Sequence, residues 1–206
     1  LYFVDCDAAT CDSGSVISLG TPRAKGAIQC PTSTNCKFVY YNGTASSNPS
    51  VQFADCDVTN CFPSQGQNGE TQILDGSTGC VLTSCSTSGD DQYTSISCPT
   101  ATDCKISYFD STTDDLKFAD CDSATCSSGT VTLLDGSTGC VLTSCSTTDV
   151  VGLYNSISCP TAADCKISYY DFTNTALKFA DCDSATCSSG TVTILDGNTG
   201  CVLTSC

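Results

Sequence analysis

The residues of this chain that could do chemistry are its cysteines. The chain has 206 residues, of which 20 are cysteines, and it contains no histidine, methionine or tryptophan. The cysteines form ten close pairs: Cys6/Cys11, Cys30/Cys36, Cys56/Cys61, Cys80/Cys85, Cys98/Cys104, Cys121/Cys126, Cys140/Cys145, Cys159/Cys165, Cys182/Cys187 and Cys201/Cys206. An even and dense set of this kind predicts a disulfide framework formed in an oxidising compartment, outside the cell or at its surface.

Metal binding and redox catalysis are the alternatives to structural disulfides. Zinc sites use cysteine pairs spaced by two to four residues, whereas these pairs enclose four or five residues and repeat uniformly. The Cys-x-x-Cys spacing of redox motifs is absent. Without histidine, neither a Ser-His-Asp nor a Cys-His site can form. We therefore expect no catalytic residues, and a hydrolase is the least favoured class of function.

The ten pairs divide into three classes. Pairs of the Cys-Pro-Thr type, such as the one at Cys98, and of the Cys-Asp-Ser type, such as the one at Cys121, enclose turn residues and are expected to close local loops. The third class is Cys-Val-Leu-Thr-Ser-Cys, which we call clips 1, 2 and 3 (residues 80–85, 140–145 and 201–206). An extended clip would hold its two cysteines about 16 Å apart along the strand, with their side chains on opposite faces. Two interpretations stay open: local closure through a turn, or bonds to adjacent copies or chains.

Aspartates flank a cysteine in every copy of an internal repeat, as Asp-Cys-Asp at residues 5–7, 55–57, 120–122 and 181–183. Two carboxylates at positions i and i+2 could supply oxygens to a calcium ion. The candidate ligands are Asp120, Asp122, Asp181 and Asp183. The twelve-residue calcium loop is absent, so capping of turns by aspartate is the favoured interpretation. No other cofactor is expected.

Aromatic pairs and one sequon suggest contact with carbohydrate. The pairs are Tyr40/Tyr41, Tyr108/Phe109 and Tyr169/Tyr170. We expect one member of each pair to enter the core and the other to face outward, where a tyrosine beside aspartates could stack on a sugar. Core packing is the alternative. Asn42 begins the Asn-Gly-Thr sequon and is the candidate glycosylation site.

An internal repeat determines the predicted organisation. Residues 103–145 and 164–206 differ at only seven of 43 aligned positions, at an offset of 61 residues. We divide the chain into a partial repeat (1–26) that carries only the last two strands of a unit, and three repeats (27–91, 92–152 and 153–206).

Each repeat contains four short runs of β-branched and aromatic residues separated by turn residues. In the repeat 92–152 these runs are residues 93–97, 105–109, 116–120 and 130–134. Alternation with a period of two predicts four antiparallel strands in a meander, without helix. The predicted fold class is therefore all-β, built from tandem four-stranded units stapled by disulfides.

The motifs Ser-Ile, Lys-Ile-Ser-Tyr-Tyr-Asp and Leu-Lys-Phe-Ala resemble the tandem four-stranded repeats of bacterial extracellular β-propellers. This resemblance covers most of the chain and implies propeller-like blades. Closed propellers have four to eight blades, whereas this chain offers about three and a half, so an open array or part of a larger propeller or fibre is expected.

Charge and hydropathy limit the partners. Seven basic and 22 acidic residues give a net charge of −15, which disfavours binding to nucleic acid and to anionic membranes. No run is long and apolar enough to cross a bilayer, and residues 1–7 lack the pattern of a signal peptide, as expected of a mature or trimmed chain. The favoured hypothesis is a structural protein that self-associates head to tail in an extracellular fibre, sheath or surface layer. A lectin-like adhesion module that binds glycans is the alternative.

Overall fold

A computed structural model describes residues 2–6, 14–18, 26–32, 35–43, 49–57, 71–89, 91–197 and 200–204, with side chains from residue 26 onward except at positions 57 and 91. These residues form fourteen β-strands and no helix, which confirms the predicted fold class. Among them there is accordingly no helix with the length and apolar character needed to span a membrane.

The strands form one two-stranded and three four-stranded antiparallel sheets. The half-unit consists of β1 (Tyr2–Cys6) and β2 (Gly14–Ser18). Unit 1 consists of β3 (Gly26–Thr32), β4 (Asn35–Asn42), β5 (Ser50–Asp57) and β6 (Thr71–Asp75). Unit 2 consists of β7 (Asp91–Thr100), β8 (Asp103–Asp110), β9 (Asp115–Cys121) and β10 (Gly129–Asp135). Unit 3 consists of β11 (Val151–Thr161), β12 (Asp164–Asp171), β13 (Ala176–Cys182) and β14 (Gly190–Asp196).

Every four-stranded unit is a meander in which neighbours in sequence are neighbours in the sheet. The predicted domain boundaries lie close to the first strands, since β3 begins at Gly26, β7 at Asp91 and β11 at Val151. The sheets are open and do not close into a barrel. Pairing is continuous between the second and third strands, from Cys104 opposite Cys121 to Asp110 opposite Asp115 in unit 2.

The three four-stranded sheets stack face to face in chain order. One core cluster joins unit 1 to unit 2 and includes Phe53 and Ile106, and a second joins unit 2 to unit 3 and includes Phe118 and Ile167. We call the face of a unit that packs on the next unit its forward face, and the opposite face its rear face. Unit 2 is therefore covered on both faces, and β8 is buried along nearly its whole length. Since β12 in unit 3 alternates between buried and half-exposed residues, only its rear face is covered.

Seven disulfides are described, and all join cysteines five or six positions apart in sequence. They are Cys30–Cys36, Cys80–Cys85, Cys98–Cys104, Cys121–Cys126, Cys140–Cys145, Cys159–Cys165 and Cys182–Cys187. Each closes a loop for which chain entropy gives about 2 kcal/mol of stabilisation. Cys56 and Cys201 are disulfide-bonded too. Cys11, Cys61, Cys206 and the side chain of Cys6 lie outside the described residues.

Gly129 begins β10 in a conformation that other residues rarely adopt, with φ of 143°. A Cβ at this position would overlap the carbonyl oxygen of Asp120 on the paired strand. Gly139 also has a positive φ, of 102°, but a Cβ there meets no atom within 4 Å. A comparison of substitutions at the two glycines therefore separates the cost of backbone strain from the cost of a steric clash.

We expect Gly129→Ala to lower the free energy of unfolding by at least about 2 kcal/mol more than Gly139→Ala. Both variants incur the strain of a positive φ, but only Gly129→Ala must also displace a strand. Guanidinium denaturation of the oxidised protein measures the difference. Equal losses in the two variants would show that the close approach of β9 and β10 is not a constraint on the fold.

Candidate interface between the repeat units

A buried aspartate at the end of one unit is held by the next unit. Asp75 ends β6 in unit 1, and its Oδ2 accepts hydrogen bonds from the Tyr108 hydroxyl at 2.7 Å and from Lys117 Nζ at 3.1 Å, both in unit 2. Lys117 also forms an ion pair with Asp110 of its own unit at 2.6 Å. We call this arrangement the Asp–Tyr–Lys cluster. It joins two sheets through charged groups that are excluded from water.

The same cluster recurs between units 2 and 3. Asp135 Oδ2 accepts from the Tyr169 hydroxyl at 2.7 Å and from Lys178 Nζ at 3.2 Å, and Lys178 pairs with Asp171 at 2.7 Å. Burial, together with the charge of Asp135, raises the pKa of Tyr169 well above its usual value. Burial opposes the charge on Lys178, but its bonds to Asp171 and Asp135 outweigh this effect and raise its pKa. Tyr169 therefore stays protonated as a donor and Lys178 stays charged.

Clips 1 and 2 each lie across the outer edge of the following unit. In clip 1, Thr83 N donates to Gly129 O at 2.9 Å, and Val131 N donates to Thr83 O at 2.8 Å. In clip 2, Thr143 forms the matching pair of bonds with Gly190 and Val192, at 3.0 and 2.8 Å. The clip thereby pairs the edge of the following unit's fourth strand, which would otherwise be exposed.

The cysteines of clips 1 and 2 bond each other rather than neighbouring copies. Their Cα atoms lie 6.3 Å apart in clip 1 and 6.4 Å apart in clip 2. The separation of about 16 Å expected of a strand does not arise, because the clip is a turn in which Cys85 N donates to Leu82 O and Ser84 adopts a φ of 63°. The contact between units is made by the residues inside the clip, and Leu82 and Leu142 are buried there.

The first-strand contacts between units are also repeated. Ser97 Oγ accepts from Cys159 N at 2.9 Å, and Gln29 Oε1 accepts from Cys98 N at 2.5 Å, so one side chain in each first strand holds the backbone of the next. At the second interface, Asn155 accepts from the Ser107 hydroxyl at 2.6 Å. Hydrogen bonds thus supplement the apolar contacts along the first strands.

The aspartates considered as calcium ligands either form ion pairs with lysines or are exposed to solvent. Asp120 pairs with Lys105, which also contacts Asp103 at 2.7 Å, and Asp181 pairs with Lys166. Asp122 and Asp183 are exposed, and their backbone N–H groups close the hairpins between third and fourth strands. Across the described ranges, no group of three or more metal-ligating side chains comes together. The carboxylates of the third strands thus have lysines as their partners.

The carbohydrate candidates are divided between core and surface. Tyr40, Tyr108 and Tyr169 are buried, and each lies on the rear face of its unit. Of their forward-facing neighbours, Phe109 is buried in unit 2, because unit 3 covers that face, whereas Tyr41 and Tyr170 are half-buried. Asn42 is half-buried at the end of β4, and Thr44 of its sequon lies outside the described residues.

Five aromatic rings that the sequence did not group together form a row across units 2 and 3. The ring centroids are separated by 6.3 Å (Phe109–Tyr93), 4.7 Å (Tyr93–Tyr154), 6.4 Å (Tyr154–Tyr170) and 6.5 Å (Tyr170–Phe172). Tyr154 and Phe172 are exposed. We call these five residues the aromatic row.

A cleft of 490 Å³ lies between clip 2 and the start of clip 3. Its charged groups are bonded, since Asp149 Oδ2 accepts from Asn174 Nδ2 at 2.8 Å and Lys178 belongs to the second Asp–Tyr–Lys cluster. The cleft therefore offers no charged group without a partner.

The Asp–Tyr–Lys cluster was not recognised in the sequence, although a signal for it exists. Leu-Asp-Gly recurs at the end of the fourth strand of units 1 to 3, and lysine recurs on the third strand of units 2 and 3. Unit 1 carries Gln52 at the lysine position, and Gln52 Oε1 accepts from the Tyr40 hydroxyl at 2.8 Å. The half-unit carries Gly20 where units 1 and 2 carry Asp75 and Asp135. The junction between the half-unit and unit 1 therefore has neither the aspartate nor the lysine, whereas the next two junctions have both.

No protein-family model, curated protein or solved structure matches this chain. Its function has to be inferred from the interface itself.

We expect Tyr169→Phe to lower the free energy of unfolding by about 1–2 kcal/mol, because it removes a donor from a buried carboxylate. Tyr170→Phe is the matched control, since its ring lies next in the same strand and is half-buried, and it should change stability by no more than about 0.5 kcal/mol. Guanidinium denaturation with the disulfides intact measures both. A loss in Tyr169→Phe as small as that in the control would contradict a role for the cluster in joining the units.

Proposed function

We propose that this chain is a structural repeat protein of an extracellular fibre, sheath or surface layer, in which successive units stack in one direction. The observation that carries this proposal is the repetition of a complete interface, with Asp75 held by Tyr108 and Lys117 and Asp135 held in the same way by the next unit. An interface that repeats with the same geometry adds units without limit, as in solenoid proteins.

Two properties of the chain, its local disulfides and its net charge, support a role outside the cell. Local disulfides stabilise each unit without any need for a covalent bond between chains. Such a framework persists in oxidising surroundings and is uncommon in reducing ones. The net charge of −15 keeps separate arrays apart in solution. The proposal includes no catalytic activity and no resident cofactor.

The test is electron microscopy and sedimentation velocity of the oxidised chain and of chains extended after Cys206 by one or more copies of residues 146–206. We expect elongated particles whose length increases with each added copy, because each added unit repeats the interface between units 2 and 3. Denaturing electrophoresis without reductant should still give a band of the size of one chain, because the disulfides are local. Added copies that leave the particles no longer than the 206-residue chain would rule out the structural role.

Carbohydrate binding is a second candidate function, and the aromatic row favours it. Sugars stack on exposed aromatic faces, and Tyr154 and Phe172 present such faces beside Tyr170.

A glycan array probed with the oxidised chain tests this second function. We expect binding to weaken by about tenfold or more in Tyr154→Asn. Asparagine tolerates the positive φ of 53° at this position, so the ring is removed without added backbone strain. Val141→Ala is the control, because Val141 is exposed but outside the row. Absence of binding to any glycan, or equal binding by both variants, would reject the function.

A further inference from the structure

The forward face of unit 3 has the composition of a buried interface but is open. In unit 2 the same face lies under unit 3, and Leu116 is 0% exposed. Its equivalent in unit 3, Leu177, is 42% exposed. Lys105 and Lys166 differ in the same way, with side chains 1% and 35% exposed. We call this open surface of β11–β14 the terminal face.

The polar groups of the terminal face are placed as in the covered interface. Ser97 is buried and accepts from Cys159 N, whereas its equivalent Ser158 is exposed. Ser107 is buried and donates to Asn155, whereas Ser168 is half-exposed. The terminal face therefore keeps the acceptor and the donor that align a following first strand.

Clip 3 is open in the same way. Leu82 and Leu142 are 4% and 3% exposed in clips 1 and 2, whereas Leu203 of clip 3 is 53% exposed. Thr83 and Thr143 are bonded to the edge of a following unit, but no backbone hydrogen bond of Thr204 occurs among the described residues. Because the three clips share the sequence Cys-Val-Leu-Thr-Ser-Cys, the contacts with a following unit account for this difference.

Asp196 indicates which residues a partner must carry if it is to cover the terminal face. Its equivalents Asp75 and Asp135 are 0% exposed and are each bonded to a tyrosine and a lysine, whereas Asp196 is exposed. Neither the half-unit nor unit 1 carries that lysine, since Tyr2 and Gln52 stand at the position. The amino-terminal part of a second copy therefore lacks the group that a buried Asp196 requires.

We infer that the terminal face and clip 3 together bind one further four-stranded unit of the type seen in units 2 and 3. That unit has tyrosine on its second strand, lysine on its third strand and Gly-Thr-Val at the start of its fourth strand. The lysine and tyrosine bond Asp196, the Gly-Thr-Val edge pairs with Thr204, and the first strand covers Leu177. This inference rests on the proposed function, because it names the surface through which an array grows and the partner that the surface accepts.

The experiment extends the full chain after Cys206 by a second copy of residues 146–206, which reproduces the junction between Cys145 and Ser146. Hydrogen exchange then compares the Thr204 amide in the extended and unextended chains. We expect exchange to slow at least about tenfold in the extended chain, because this amide acquires the bond that Thr143 makes. Leu203→Asp in the extended chain should abolish the protection.

The matched control is Val202→Asp, which should leave the protection unchanged. Val81 and Val141 stay 37% and 42% exposed even though their clips are docked, so this position does not enter the interface. An added unit that folds without protecting Thr204 overturns the inference. An added unit that stays unfolded also overturns it, since units 2 and 3 fold against the equivalent surface.

Two further results separate this inference from the proposed function. Protection of Thr204 in the unextended chain, equal to that in the extended chain, would identify the amino-terminal part of a second copy as the occupant and overturn the requirement for lysine. Protection confined to the extended chain, with no elongated particles under any condition, would support the inference and reject the structural role.

Discussion

A single four-stranded sheet in this chain has two faces to bury, and only another sheet can cover them. The middle unit shows the consequence, because Lys105, Ile106, Ser107 and Tyr108 are successive residues of one strand and all are buried. Apolar burial at about 25 cal/mol per Å² stabilises such a stack only where neighbouring sheets are present. The disulfides stabilise loops inside each unit, but they do not join the sheets that they staple.

The Asp–Tyr–Lys cluster then determines how one sheet sits on the next. A carboxylate buried without its partners costs several kcal/mol, so a shift of one sheet along the other would leave Asp135 or Asp75 unpaired. Apolar faces alone tolerate such shifts, because they have no directional bonds. The clip adds a second constraint by pairing Thr143 with the edge of β14. Charge and edge pairing thus specify the register, while apolar contact supplies most of the stabilisation.

The sequence predicted the local features of the fold, namely its strands and short-range disulfides. It did not determine the features that depend on contact with neighbouring units. Strands such as β9 and β14 followed from the alternation of residues, and the disulfides at Cys98 and Cys121 followed from turn residues between close cysteines. The shape of the clips did not follow, because it depends on left-handed residues such as Ser144. The sequence also did not predict that polar strand positions such as Ser107 are buried, because alternation with a period of two predicts that one face of the strand is exposed to solvent.

The distribution of charge explains why such an array requires a specific interface. Seven basic residues are present, and the five that the structure describes are all lysines paired with aspartates, at Lys37, Lys105, Lys117, Lys166 and Lys178. Among the described aspartates, Asp114, Asp122, Asp183 and Asp196 are exposed, and within the described ranges none of these four forms an ion pair. In the proposed fibre, stacks approaching side by side would repel each other, whereas two units stacked face to face place a lysine of one unit against the buried Asp75 or Asp135 of the other. In the proposed fibre, growth along the stack would thus be favoured over lateral aggregation by the same ion pairs that fix the register.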